Sequence, residues 1–163
     1  MGHSKQSSKQ EPSLPIRELL VGVWALKTYT DTHTGTSELQ PFGNEPAGLL
    51  IYTADGFVSA QLMQPGRKSS HPGLWSNWSA EEFKTFGDGY IGYCGRYEVD
   101  EEHATVTHLP SVAFLPNFVG QRLLREVSFS DNRLTLKASY ALPDGSTAAS
   151  LLEWTRFSTL RQS

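Results

Sequence analysis

Residues 48–63 read GLLIYTADGFVSAQLM, and this stretch decides the fold. Two apolar runs flank Asp55-Gly56, a pair that strongly indicates a tight turn between antiparallel strands. The other runs with a strand-like pattern lie at 21–30, 93–99, 104–109, 123–129, 134–140 and 148–157. Eight strands in simple succession predict an all-β, eight-stranded antiparallel up-and-down barrel, because closure removes exposed sheet edges.

One short helix should interrupt this strand pattern. Ser79-Ala80-Glu81-Glu82 is a capping box, in which the Ser79 side chain accepts from the amide of Glu82 and Glu82 reaches back. The helix should end near Gly87 or Gly89, which places it between strands 3 and 4. A separate helical turn is predicted at residues 15–20.

The predicted loops suggest where the barrel opens. Residues 31–46 are rich in Thr, Gly, Pro and Asn, show no period, and are predicted to form one long loop. Long loops in compact domains are usually functional. This loop and the segment that contains Trp75 and Trp78 are the natural lids of the barrel.

Length and composition exclude several classes of protein. The chain has 163 residues, which suits one domain: a polar, disordered tail at 1–13 and a barrel domain at 14–163. The net charge of −3 argues against a nucleic-acid partner. No apolar run approaches the roughly 20 residues of a membrane-spanning helix, so no membrane partner is expected. Cys94 is the only cysteine, which excludes an internal disulfide and favours the cytoplasm.

Two positions near the ends of the barrel domain carry a resemblance to a known family. Gly22-Val23-Trp24 matches the G-x-W motif of lipocalins, and Arg156 matches the arginine that packs over this tryptophan. An indole beneath a guanidinium plugs one end of a barrel and adds a cation–π contact of about 1 kcal/mol. Trp24 and Arg156 are therefore interpreted as structural residues.

More specifically, the chain resembles the small bacterial and fungal lipocalin-like domain proteins, which have a calycin-type barrel. The matching stretches are 46–56, 59–63, 95–100, 106–108, 116–120 and 133–136, in that order. Some fungal members look like accessory proteins of secondary-metabolite pathways, and the resemblance implies such a role for this chain. The inserted helix, the single cysteine and the lack of a recognisable secretion signal argue against the extracellular transport typical of classical lipocalins.

Period-two alternation assigns side chains to the barrel interior. The apolar residues of 123–129 place Arg125 inside with them, and His108 shares a face with Val106. Strand 3 is ambiguous, because 57, 59, 61 and 63 compete with 58, 60, 62 and 64; the family match favours the first set. The residues expected to bind a ligand are Ser59, Gln61, Tyr93, Tyr97, Asn117 and Trp154, and those expected to catalyse are His108 and Arg125.

Each of these candidates also has a purely structural interpretation. His108 could be a general acid or base, or a half-buried histidine bonded to a neighbouring strand. Arg125 could bind a carboxylate or an enolate oxygen, or pair with Glu126 or Glu98 on the outer surface. Asn117 could reach a ligand at the barrel mouth or satisfy its own turn.

The sequence predicts no metal and no cofactor. It has no Cys-x-x-Cys or His-x-x-x-His spacing, no glycine-rich phosphate motif before a helix, and no G-x-S-x-G.

Three functional hypotheses remain. The first is a cofactor-independent isomerase or cyclase that confines a hydrophobic polyketide or terpenoid. In it, His108 moves a proton, and Arg125, Tyr93 or Tyr97 stabilises charge. The second is an intracellular protein that carries or sequesters such a molecule without changing it. The third is a barrel whose interior is filled by side chains and binds nothing. In each case we expect a monomer or a homodimer.

Overall fold

The computed structural model describes residues 14–33, 38–68 and 77–157. The two helices are α1 (Ile16–Leu20) and α2 (Ala80–Asp88), and Pro116–Phe118 form a 3₁₀ turn. The strands are β1 (Gly22–His33), β2 (Ala47–Tyr52), β3 (Phe57–Met63), β4 (Tyr90–Asp100), β5 (Thr105–Ala113), β6 (Leu123–Ser130), β7 (Arg133–Ala141) and β8 (Thr147–Arg156). The predicted tail at 1–13 and Trp75 lie outside the described residues.

The eight strands form a closed barrel in sequential order. Each strand pairs antiparallel with the next, and β8 pairs with β1 to complete the ring. The predicted eight-stranded up-and-down barrel is therefore confirmed. The helix α2 lies between β3 and β4 and carries the predicted capping box, with Ser79 accepting from the amide of Glu82 and Gly89 as the C-cap.

The first and last strands close one end of the barrel with the predicted contact. The guanidinium carbon of Arg156 lies 4.1 Å from the centre of the buried Trp24 ring. The same guanidinium donates to the carbonyl oxygens of Val21 at 2.8 Å and Leu19 at 2.6 Å. Gly22 has a φ of 137°, and a Cβ there would lie 2.6 Å from an Arg156 nitrogen. The glycine of the G-x-W motif therefore makes room for the arginine.

The short helix α1 completes this closed end. The backbone amides of Ile16 and Arg17 donate to the carboxylate of Glu101, at 2.8 and 2.9 Å, in the turn between β4 and β5. Leu20 is fully buried, and its carbonyl accepts from the Trp24 indole N–H at 2.8 Å. Helix α1 is thus fixed to the barrel by both polar and apolar contacts.

The connection from β1 to β2 corrects one prediction. Residues 31–46 were expected to be one continuous loop, but β1 extends to His33, and Asp31 and Leu39 form an antiparallel bridge. Phe42 is buried and packs edge-on against Tyr29, with ring centres 5.4 Å apart. The prediction was wrong because this threonine-rich segment satisfies its backbone by pairing with β8.

The structure also decides the face of β3, and the expected face was wrong. Val58, Ala60 and Leu62 are 2%, 2% and 5% exposed and belong to the hydrophobic core. Ser59 and Gln61 alternate with them and point to the outer surface. The physical reason is that the amide and hydroxyl keep access to water and to polar neighbours outside, whereas burying them unpaired would be costly.

Candidate ligand-binding site

The barrel encloses a cavity of about 490 Å³ that opens at the end opposite Trp24 and Arg156. Cavities of roughly 300–1,000 Å³ are typical of small-molecule sites. The third hypothesis, a barrel filled by its own side chains, is therefore wrong.

Most of the cavity wall is apolar and comes from several strands. Because side chains alternate along each strand, every second side chain of a strand points toward the interior. The apolar part of the wall consists of Leu50, Ala60, Leu62, Ile91, Phe118, Leu123, Leu124, Leu136, Ala138 and Leu152. This wall favours a largely hydrophobic occupant.

A chain of three polar side chains crosses one side of the barrel. The Tyr52 hydroxyl lies 2.6 Å from Nε2 of His108, and the Tyr93 hydroxyl lies 2.7 Å from Nδ1. His108 is 1% exposed, and both of its ring nitrogens are engaged. Of the three, Tyr93 and His108 line the cavity, while Tyr52 lies behind them.

The environment of His108 keeps its ring neutral. Burial, reinforced by the positive charge of Arg125, lowers the pKa of His108 to about 3. This low pKa makes the ring a weak base. Because both ring nitrogens are hydrogen-bonded to tyrosines, neither is free to accept a proton from a ligand. The expected role of His108 as a general base therefore has no support in the geometry.

Arg125 reaches the cavity from the inner face of β6, as the alternation predicted. One of its guanidinium nitrogens donates to the Leu124 carbonyl at 2.9 Å. The two acids considered as outer-surface partners are engaged elsewhere: Glu98 pairs with Arg122 at 2.7 Å, and Glu126 with Lys137 at 3.4 Å. Arg125 is thus a cation of the cavity wall.

Trp154 contributes a buried aromatic ring to the wall. The residue is 1% exposed and lines the cavity from β8. Its indole N–H is buried and has no hydrogen-bond partner within the described part of the chain. Buried N–H groups are normally satisfied, so this N–H is an exception among the described residues.

Four of the predicted ligand-binding residues do not reach the cavity. Ser59 and Gln61 hydrogen-bond to each other at 3.3 Å on the outer surface. Asn117 lies exposed in the 3₁₀ turn, and it is the next residue, Phe118, that lines the cavity. Tyr97 is buried, but its hydroxyl donates to the Thr53 carbonyl at 2.9 Å, near the closed end.

Several polar residues of the interior were missed from sequence, among them Tyr52 and Tyr29. Tyr52 belongs to an apolar run with no alternation, so nothing indicated its inward direction. A bulge in β1 between Leu26 and Thr28 turns Tyr29 inward, opposite Leu152, and brings Tyr29 to the cavity wall. The Tyr29 hydroxyl donates to Asp31 at 3.3 Å.

Searches for other kinds of site give no candidate. Within residues 14–33, 38–68 and 77–157, no three His, Cys, Asp or Glu side chains are grouped closely enough to hold a metal ion. No helix in the same residues is long and apolar enough to cross a membrane.

Comparison with known proteins identifies the family. The search of curated proteins finds no match for this sequence. The family model described as "lipocalin-like domain" matches residues 21–157, a range that begins just before β1 and ends just after β8. With its closed eight-stranded barrel, its plugged end and its apolar cavity, the chain belongs to the lipocalin-like domain family.

Proposed function

We propose that the protein binds one small, largely hydrophobic molecule inside the barrel. The observation that carries this proposal is the 490 Å³ cavity, whose wall is mostly apolar and carries polar groups that include His108, Tyr93 and Arg125. An apolar cleft with a few convergent polar groups is the usual form of a small-molecule site. The apolar wall provides affinity, and the polar groups orient the bound molecule.

Binding can be tested with the neutral fluorescent probe N-phenyl-1-naphthylamine. Ala138 lines the cavity from β7, so Ala138→Phe should fill part of the space and weaken probe binding about tenfold or more. Ser128→Phe adds the same ring to the exposed face of β6 and is the matched control. Equal binding by both variants, each shown to be folded by circular dichroism, would place the probe outside the barrel and refute the proposal.

Catalysis on the bound molecule is the second candidate function. Arg125 and the Tyr93 hydroxyl lie side by side on the cavity wall, an arrangement that can stabilise the oxygen of an enolate. A cofactor-independent isomerase or cyclase acting on a polyketide or terpenoid would use such a pair while the apolar wall confines one conformer. We propose the cytoplasm as the compartment and a monomer or homodimer as the state.

Metabolite profiling separates catalysis from simple binding. Deletion of the gene should cause an isomer or uncyclised precursor to accumulate if the protein is an enzyme, and complementation with Arg125→Ala should fail to remove it. If the product profile is unchanged by deletion while the probe still binds, the protein is a carrier or sequestering protein.

A further inference from the structure

The buried hydroxyl of Tyr52 determines the direction of the hydrogen bonds in the polar chain. In the part of the chain that the structure describes, the only hydrogen-bond partner of this hydroxyl is Nε2 of His108. A buried hydroxyl proton without an acceptor costs about 1–3 kcal/mol, so Tyr52 donates and Nε2 accepts. Since the ring is neutral, Nδ1 must carry the ring proton.

This tautomer leaves the proton of Tyr93 available to the cavity. Nδ1–H of His108 donates to the Tyr93 oxygen, 2.7 Å away. Tyr93 therefore accepts at this position and does not donate there. Burial raises the pKa of the Tyr93 hydroxyl, although Arg125 opposes the shift, so the hydroxyl keeps its proton. Because Tyr93 lines the cavity, the free O–H can donate to a bound molecule.

The charges of the wall favour the same kind of acceptor. Arg125 lies close enough to Tyr93 and His108 to influence both, and no carboxylate lies within salt-bridge distance of it in the described residues. No described aspartate or glutamate is among the lining residues, although Asp31 accepts hydrogen bonds from two of them, Tyr29 and Ser150. Around Arg125 and Tyr93 the wall thus offers positive charge and a hydrogen-bond donor.

We propose that the cavity selects hydrophobic molecules with an anionic oxygen, and that this oxygen binds between the Arg125 guanidinium and the Tyr93 hydroxyl. The proposal rests on the proposed binding function and names the chemical class of its ligand. A carboxylate and a phenolate or enolate share this chemistry. In this arrangement Tyr52 and His108 are positioning residues, because they act on the ligand only through Tyr93.

Three naphthalene probes of matched shape test the proposal by isothermal titration calorimetry. 2-Methylnaphthalene reports on the apolar cavity alone, 2-naphthoate adds a carboxylate, and 2-naphthol reports by absorbance whether its phenolate form is favoured on binding. 2-Naphthoate should bind about tenfold or more tightly than 2-methylnaphthalene, or bound 2-naphthol should ionise at a lower pH than free 2-naphthol. The probe that shows the effect identifies the source of the anionic oxygen.

Variants assign the effect to the two groups. Arg125→Leu should remove the preference for the anion, measured as the ratio of the 2-naphthoate and 2-methylnaphthalene affinities. Arg96→Leu removes an arginine that lies over Phe57 on the outer surface of β4, and it should retain the preference. Tyr93→Phe should reduce the preference by a smaller factor. The three probes distinguish the two possible failures. Equal binding of all three probes overturns only the proposal of an anionic oxygen. No binding of any probe overturns the proposed binding function itself.

A spectroscopic measurement tests the positioning role directly. Nitrogen-15 NMR of His108 should show the Nδ1–H tautomer in the wild type. Tyr52→Phe removes the donor to Nε2 and should shift the ring toward the other tautomer. The anion preference should then fall by no more than it does in Tyr93→Phe. A wild-type ring that is protonated on Nε2 would overturn the proposed direction of the chain.

Discussion

Acid should destabilise this barrel through His108, because the fold accepts the histidine only as a neutral ring. The pKa of His108 falls from 6.5 to about 3 on folding, mainly by burial and then by the charge of Arg125. Unfolding at low pH lets the ring bind a proton that the folded state excludes. The stability that comes from the neutral ring is complete above pH 6.5 and is lost as the pH falls toward 3.

The size of the effect follows from the shift. One pKa unit corresponds to about 1.4 kcal/mol, so His108 alone should lower the free energy of unfolding by about 2 kcal/mol at pH 5. The loss should approach roughly 5 kcal/mol near pH 3, which is a large part of the usual stability of a domain.

Urea denaturation between pH 7 and pH 4.5 measures this effect. His108→Gln is less stable at neutral pH because it disturbs two buried hydrogen bonds, but it has no ring to protonate. The stability difference between wild type and His108→Gln should therefore shrink by about 2–3 kcal/mol from pH 6.5 to pH 4.5. His103→Gln removes an exposed histidine of the β4–β5 turn and is the control. A constant difference across this range would show that His108 is not held neutral by the fold.

Three further substitutions test the architecture. Arg156→Met removes the charge over Trp24 and two hydrogen bonds to carbonyls, and should cost about 2–4 kcal/mol in urea denaturation. Gly95→Ala places a Cβ 2.0 Å from the Leu109 carbonyl oxygen, so it should cost more than about 3 kcal/mol or prevent soluble expression. Ser79→Ala should destabilise only α2, by about 1 kcal/mol. Amide exchange in that helix should become faster, while the melting temperature of the protein stays unchanged.

The fold could be predicted from sequence because its signals are local. The Asp55-Gly56 turn, the capping box at Ser79 and the short alternating runs each specify one element without reference to the rest. Once eight strands follow one another with short connections, closure is the arrangement that leaves no unpaired edge. The Trp24–Arg156 contact then identifies which strands meet.

The cavity residues were predictable only where apolar neighbours identify the inner face. Arg125 and His108 lie in such runs, and the structure places both on the cavity wall. Strand β3 has apolar residues on both faces, and its larger ones, Phe57 and Met63, are 44% and 40% exposed at the strand ends. Alternation therefore could not decide the inner face, and the family match that was used instead assigned Ser59 to the wrong side.

The irregularity in strand register could not be predicted from the sequence. The bulge near Lys27 is one extra residue in β1 relative to β8, and it exchanges the two faces of the strand from Thr28 onward. Alternation counted from Trp24 would turn Thr28 inward, whereas the structure turns Tyr29 inward. Only the pairing with β8 reveals this change, because the local sequence LKTYT has no turn residue that marks it.

The polar chain shows why a histidine in a cavity need not be the reactive group. Both ring nitrogens of His108 are hydrogen-bonded, and burial together with the charge of Arg125 lowers its pKa, so the residue that sequence chemistry favours as the base is poorly suited to that role. In these contacts Nε2 of His108 accepts a hydrogen bond from Tyr52, and Nδ1–H donates one to Tyr93. Chemical selectivity therefore passes to Tyr93 and Arg125, two of the polar residues that line the cavity. An anion bound at Arg125 would also offset part of the charge that keeps His108 neutral, so ligand binding and acid stability should depend on the same cluster.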